Sequence, residues 1–339
     1  MKKIAFLGPN LESYGGVNVA INHLKKFFEE KGIEVHLFPV GRTKIKESEF
    51  IHPINSNKKS TQFNELKAKL SKFDFDLVIA NNLRTSAILA SLKLKNDLYI
   101  IHQGRVLQKS DFLNILKQKL KFKRIYENKR VVFLNNCFKD EFLKKFKIPV
   151  TYKIIPNPFD FKEIKKRACE FDVKGDYILG VGRLTKDKNF DYLIKAYAKG
   201  NFSKELWLLG DGEERINLKK LVEKLNLKDK VKFLGWQDNP YPYIKNASLL
   251  VHPSKFESFG NVLVEALILN TPVIATDVKC GPREILIDKL SNFLVPLNKD
   301  LFLADKIKEA LNSYPKIKKE YLEKYKFENV GKKYLEFLP

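Results

Sequence analysis

Arginine is scarce in this chain of 339 residues: nine, against 54 lysines, in a sequence of formal net charge +23. Guanidinium forks are the preferred readers of bases and paired phosphates. With few of them, and no helix-turn-helix, zinc-finger or RNP-like pattern, the charge makes a poor case for a nucleic-acid-binding protein. Cysteine is rare too. Cys137, Cys169 and Cys280 form no C-x-x-C pair, so neither a disulfide framework nor a zinc site is implied, which fits a reducing cytoplasm. No apolar run approaches the ~18 residues of a membrane-spanning helix. The opening MKKIAFLGPN has too short an apolar core for a signal peptide and reads as a first strand. Internal repeats, a G-x-S-x-G elbow and a P-loop are all missing. Gly15-Gly16 precede a helix, where backbone amides can approach phosphate or sugar. They stand seven residues from Gly8, which is not the G-x-G-x-x-G of nicotinamide binding.

What is present is a packed α/β chain. Hydrophobic residues make up 44%, and the length exceeds what one core usually serves, so two domains are expected. Apolar strands alternate with helices: 2–8, 33–40, 77–80, 98–102 and 131–135, with a helix over Val17–Lys31 closed by Gly32. IIPNPFDF (154–161) interrupts the series. A second series follows at 177–182, 205–210, 231–235, 249–253 and 272–276, with helices such as Arg215–Leu225 and Tyr241–Asn246. This grammar specifies two doubly wound, Rossmann-like parallel sheets. Their expected ranges are 1–155 and 156–315, with 316–339 as a C-terminal helix packing back on the first domain.

Chemistry concentrates where the strands of the second series end. ESFGNVLVE carries Glu257 and Glu265 eight residues apart. Ser258, Phe259, Gly260, Asn261 and Val262 lie where a helix begins and its unpaired amides attract anions. The following run is apolar all round, as in a buried helix, and Glu265 is its only charge. That carboxylate either faces solvent, bonds a neighbouring backbone group, or meets hydroxyl partners such as a ribose. With 23 glutamates in the chain, about one or two such pairs arise by chance, so context decides. Arg183 and Lys188 supply it: two cations in the loop after one strand, able to neutralise a departing diphosphate. Gly210, in GDGEE, permits close backbone approach or a tight turn. Trp236 suits a nucleotide base or a core position equally. His102 ends a strand in the first series.

Asp74-Phe75-Asp76 has the D-x-D spacing that chelates a divalent metal with a diphosphate, but it precedes a strand instead of ending one. We read Asp76 as a strand-start residue and expect no metal site. The charge is uneven: residues 1–150 hold 29 basic and 14 acidic residues, and Lys109–Arg130 hold eight basic and two acidic. Leu113, Leu116, Leu120 and Ile125 share part of a helical face there, either an anionic-membrane surface element or a solvated Lys-rich helix.

GGV (15–17), His102, IPNP, the G-R-L-x-x-x-K run Gly182–Lys188 and E-S-F-G-N-V-x-V-E together resemble the retaining GT-B glycosyltransferases of family GT4, over essentially the whole chain. The resemblance implies two domains facing across a deep cleft, the first holding an acceptor and the second a nucleotide-sugar. It assigns Glu257 to sugar hydroxyls, Glu265 to ribose, Arg183 and Lys188 to the pyrophosphate, amides near Asn261 and Val262 to the same group, and His102 to the reacting carbon. It further implies a metal-independent, configuration-retaining transfer from a donor, taken as a UDP-sugar. The acceptor would be a lipid-linked or cell-surface glycan, as in bacterial lipopolysaccharide, capsule or glycoprotein assembly, and the enzyme cytoplasmic or peripheral at the inner membrane. Ser258 and Gln103 depart from the common family residues. An epimerase or phosphorylase on the same fold is the alternative.

Overall fold

Short apolar runs such as LVIA and LLVH become strands because each is buried on both faces of a parallel sheet, where β-branched residues and leucine pack best. In the computed structural model, which describes residues 1–8, 16–41, 43–56, 58–101 and 112–339, they assemble into two units. One comprises Met1–Phe159 with Tyr325–Pro339, the other Asp160–Lys324.

The first unit contains β1 (Lys3–Gly8), α1 (Gly16–Glu30), β2 (Glu34–Pro39), α2 (Lys59–Leu70), β3 (Leu77–Ala80), α3 (Leu83–Leu92), β4 (Asp97–Ile101), α4 (Phe112–Tyr126), β5 (Arg130–Phe133), α5 (Asn136–Phe146) and β6 (Thr151–Ile154). Its sheet is parallel, in the order β2-β1-β3-β4-β5-β6. α1 buries Ala20, Ile21, Leu24, Phe27 and Phe28. Gly32, at φ +70°, closes it as the Ile33 amide returns to the Phe28 carbonyl. Asn82 caps α3 reciprocally with Thr85, and Asn135 caps α5 by accepting the Phe138 amide at 2.8 Å. The apolar pattern does not reveal β6, because it is an edge strand whose TYKI residues are exposed or half-buried. Asp76 Oδ2 accepts the Lys3 amide at 2.7 Å, tying the start of β3 to β1.

α4 departs from expectation. Phe122, Ile125 and Tyr126 are buried in it, while Leu116 and Leu120 are 45% and 62% exposed. At ~100° per residue, Ile125 lies roughly 140° round the helix from Leu120, so one face cannot hold both. Lys109 and the Leu113 side chain lie outside the described residues.

The second unit contains α6 (Phe161–Arg167), β7 (Tyr177–Val181), α7 (Phe190–Gly200), β8 (Glu205–Leu209), α8 (Arg215–Lys224), β9 (Val231–Gly235), α9 (Tyr241–Asn246), β10 (Leu249–His252), α10 (Asn261–Ile268), β11 (Val273–Thr276), α11 (Pro282–Ile285), β12 (Leu294–Val295) and α12 (Asp300–Asn312). Its sheet is again parallel, in the order β12-β11-β10-β7-β8-β9. The chain runs outward through β7, β8 and β9, then returns to place β10 on the other side of β7. That reversal puts a topological switch point between β7 and β10, the place where open α/β sheets bind ligands. A core of Ile178, Leu193, Leu208, Val251 and Ile274 lies beneath it.

The expected tail helix over 316–339 is shorter than its range. Two 3-10 turns (Lys319–Tyr321 and Glu323–Tyr325) precede α13 (Phe327–Leu335). α13 packs on α1, where Gly331 lies so close to Phe27 that a Cβ there would stand 2.2 Å from the ring.

Candidate active site

β7 and β10 are hydrogen-bonded neighbours, so the loops leaving their carboxyl ends run side by side, and the Lys255 amide donates to the Asp187 carbonyl at 2.8 Å. This adjacency joins residues that lie 69 apart in sequence. Lys188 Nζ is 2.7 Å from Glu257 Oε2, with both side chains largely buried. Nε2 of His252, the last residue of β10, lies 3.1 Å from the same oxygen, and the Ser258 amide donates to Oε1 at 3.1 Å. Burial works against the charge on Glu257. The Lys188 charge and the His252 hydrogen bond overcome it, holding the carboxyl far below the usual glutamate range. For His252, burial depresses the pKa; the Glu257 hydrogen bond opposes this and the Lys188 charge reinforces it. The ring is therefore neutral near pH 7, and because a carboxylate only accepts, Nε2 carries the proton.

Arg183, in the same loop as Lys188, is exposed, and its guanidinium has no side-chain partner among the described residues. Asn189 follows at φ +58° and is 1% exposed, with neither its amide oxygen nor its nitrogen hydrogen-bonded; the buried Ser254 Oγ is also unpaired. Unsatisfied buried polar groups are few in native proteins and gather where ligands or waters complete the bonding.

Gly260 adopts φ +98° and heads α10, whose first turn has no side-chain cap. Asn261 and Val262, in that turn, are half-buried, while Leu263, Val264, Ala266, Leu267 and Ile268 are buried. Phe259 is buried, and its carbonyl would stand 2.7 Å from a Cβ at Gly281. Glu265 keeps a small solvent-facing edge and has no hydrogen-bond partner among the described residues. Burial pushes its carboxyl up to about 7, with the Arg167 charge opposing.

Gly210 has a backbone task. Its Cβ would stand 2.0 Å from the Gly182 carbonyl, and one on Gly212 would stand 2.4 Å from the Leu184 carbonyl. The GDG turn thus presses directly against the loop that carries Arg183. Trp236 follows β9 at the sheet edge, is 50% exposed, and donates Nε1–H to Asp238 Oδ1 at 3.1 Å. Arg167 links it to the site: Nη2 donates to the Asp238 carbonyl at 3.0 Å, and the same charge acts on Glu265. Gly16 opens α1. Gly15 and His102 lie outside the described residues.

The structure thus brings together Lys188, Glu257 and Ser258, with Arg183 in the adjoining loop. Sequence reasoning missed His252, Asn189, Ser254 and Arg167. A signal existed for the first: LLVHP ends an apolar strand on a histidine five residues before Glu257. Arg167 had none, since its importance arises from α6 packing on α9 and α10.

Among the described residues, no group of three or more His, Cys, Asp or Glu is arranged to hold a metal, and no helix is long and apolar enough to cross a membrane. The family described as "Glycosyl transferases group 1" matches residues 161–328. A Campylobacter jejuni protein, N-acetylgalactosamine-N,N'-diacetylbacillosaminyl-diphospho-undecaprenol 4-alpha-N-acetylgalactosaminyltransferase, is 30% identical over 277 residues, covering 77% of this chain and 76% of that protein. Among solved structures, sucrose-phosphate synthase from Thermosynechococcus elongatus superposes with a TM-score of 0.83 at 21% identity, over 99% of this chain and 98% of its own. Anabaena Alr3699/HepE in complex with UDP-glucose gives 0.78 at 18% identity, over 99% of both. Two six-stranded parallel sheets with flanking helices match the GT-B fold of these neighbours. The chain belongs to the glycosyl transferases group 1 family and is a glycosyltransferase of the GT-B fold.

Proposed function

We propose that the chain transfers a sugar from a UDP-sugar to a lipid-linked or cell-surface glycan, with retention of anomeric configuration. The observation that carries this reading is the cluster at the β7/β10 switch point: an unpartnered guanidinium, a lysine–glutamate pair and an uncapped helix start on adjoining loops. Arg183 and Lys188 meet the two phosphates, helped by first-turn amides of α10 at Asn261 and Val262. Glu257 accepts from hydroxyls of the sugar. Glu265, unpaired in its buried helix, takes the ribose hydroxyls as its missing partners. Trp236 offers its exposed face to the base, and Gly210 keeps the Arg183 loop in place. We assign the acceptor to the first unit, and His102, Gly15 and Gly16 to the sugar side of the reaction.

As the bond from the anomeric carbon to the diphosphate oxygen breaks, charge grows on the departing phosphate, and the two cations stabilise it there. The acceptor hydroxyl oxygen bonds to that carbon from the same face and gives its proton to the departing phosphate oxygen. The Campylobacter relative, named for a diphospho-undecaprenol substrate, supports a lipid-linked acceptor.

The outward face of α4 supports docking at an anionic, cytoplasmic membrane surface. Exposed Leu116 and Leu120 are flanked by Lys117, Lys121, Lys123 and Arg124, all exposed. Replacing Lys117 and Lys121 by Glu should abolish salt-sensitive co-sedimentation with phosphatidylglycerol vesicles without changing turnover of a soluble acceptor. Unchanged sedimentation removes this part of the reading.

The transfer itself is tested by assaying UDP-sugar turnover in Glu257→Ala and Lys188→Ala. Each should lose roughly 10²–10³-fold in rate, the cost of one charge-assisted contact that matters in the transition state. Full activity in both contradicts the proposal.

A further inference from the structure

Three buried polar side chains beside the site, Asn189, His252 and Ser254, have no task in the transfer described above, and His252 is the one that touches Glu257. His252 is 3% exposed in its side chain. Its carbonyl accepts from Thr276 Oγ1 at 3.5 Å, and the same hydroxyl donates to the Ser254 carbonyl, so the end of β10 is fixed from β11 as well. From that fixed point Nε2–H reaches Glu257 Oε2 at 3.1 Å, the oxygen that Lys188 also engages. The two donors differ in kind. Lysine is a point charge on a flexible stem, free to divide itself between carboxylate and diphosphate. The imidazole is a neutral donor on a rigid strand end. A second full cation here would neutralise Glu257 and weaken its hold on hydroxyls, whereas a neutral N–H orients the carboxylate and leaves its charge intact. A buried carboxylate oxygen deprived of donors is also penalised.

We propose that His252 is a positioning residue. Its Nε2–H holds Oε2 of Glu257 so that the carboxylate stays aimed at the donor sugar while Lys188 shares its charge with the diphosphate. This rests on the reading of Glu257 as the sugar-binding carboxylate.

The test uses the full chain and whichever of UDP-glucose, UDP-galactose and their N-acetyl counterparts it turns over, by transfer or by slow hydrolysis. His252→Gln carries its amide N–H to where Nε2 lies, whereas the amide of His252→Asn reaches only the Nδ1 position. His252→Gln should keep kcat within ~5-fold of the wild type. His252→Asn should lose roughly 10–100-fold, the worth of one hydrogen bond to a charged group. In both, affinity for UDP alone should stay close to wild type, and His252→Gln should also keep its melting temperature, since it restores the donor to the buried carboxylate. The proposal is overturned if asparagine performs as well as glutamine, or if activity, UDP affinity and melting temperature fall together in both variants. Glu257→Gln, run alongside, separates two failures. Full activity there removes the sugar-binding reading of Glu257; loss there with an active His252→Asn removes only the positioning role.

Discussion

Each unit buries histidine among carboxylates and lysines, and the two clusters differ in where the chain places them. In the first unit, His36 lies within β2 and His52 in the segment that runs beside it. Their rings stack at 5.1 Å, and Nδ1 of one lies 2.8 Å from Nε2 of the other. Glu34 takes His36 Nε2–H at 2.7 Å and pairs with Lys3, while Glu47 pairs with Lys69 and lies 3.7 Å from His52 Nδ1. Phe38, Phe50, Phe73 and Phe75 close round the pair. In the second unit, His252 stands at the carboxyl end of a strand beside a switch point, with an exposed arginine and unpaired Asn189 and Ser254 atoms on adjoining loops. The residue types are nearly the same. A polar cluster enclosed by aromatic rings, with each carboxylate already paired, serves as a staple for the fold. One at a strand's carboxyl end, with unfilled polar capacity around it, is available to a ligand.

Substitutions at the two clusters should therefore separate activity from stability. Glu257→Ala and Lys188→Ala remove transfer by orders of magnitude, as stated above. Breaking this largely buried pair also costs about 3–5 kcal/mol of stability at most, because it strands the remaining charge. His36→Leu should lower stability by about 1–3 kcal/mol through the unpaired partners it leaves, with turnover per folded molecule unchanged. Denaturant unfolding alongside the transfer assay reads both. A large activity loss in His36→Leu at full stability would break the distinction.

The first-unit pair also has a pH signature. Burial depresses the His52 pKa, and the charge of His36 adds to this, with Lys69 acting the same way and Glu47 opposing. Below about pH 6.5 the unfolded chain takes up this proton before the folded one does, so stability is fully present above that pH and declines as pH falls towards the folded pKa. His252 contributes with the same sign. The slope between pH 7.5 and 5.5 should thus be shallower in His52→Gln than in the wild type, and an unchanged slope would refute it.

Much of the fold was legible because buried parallel strands are continuous apolar runs, and β3 over Leu77–Ala80 coincides with its apolar run. β6 was invisible for the opposite reason, being half-exposed at a sheet edge. Sequence spacing offered Glu257 with Glu265 and Arg183 with Lys188, each pair local. The contact between the pairs depends on β10 lying beside β7, a topological fact that no local pattern carries. The same holds for Gly210, where the sequence allowed a turn or a close approach and the structure shows backbone against backbone.

A smaller effect sharpens the comparison within α10. Burial holds the Glu265 carboxyl up at about 7, so the folded state keeps this proton after the unfolded chain has lost it. Stability therefore declines as pH rises from about 4.5 to 7 and then levels. Glu265→Gln should raise stability at pH 8 by about 1–3 kcal/mol while weakening UDP binding ~10-fold through the lost ribose contact. A stabilised variant with unchanged UDP affinity would detach Glu265 from the donor site.

In the proposed transfer, the loops after β7 and β10 grip the diphosphate. Calorimetric titration of UDP into wild type, Arg183→Ala and Lys188→Ala tests it most directly. We predict affinity at least ~10-fold weaker in each variant, as expected for a lost charge-assisted phosphate contact. UDP binding of wild-type strength in both would contradict it.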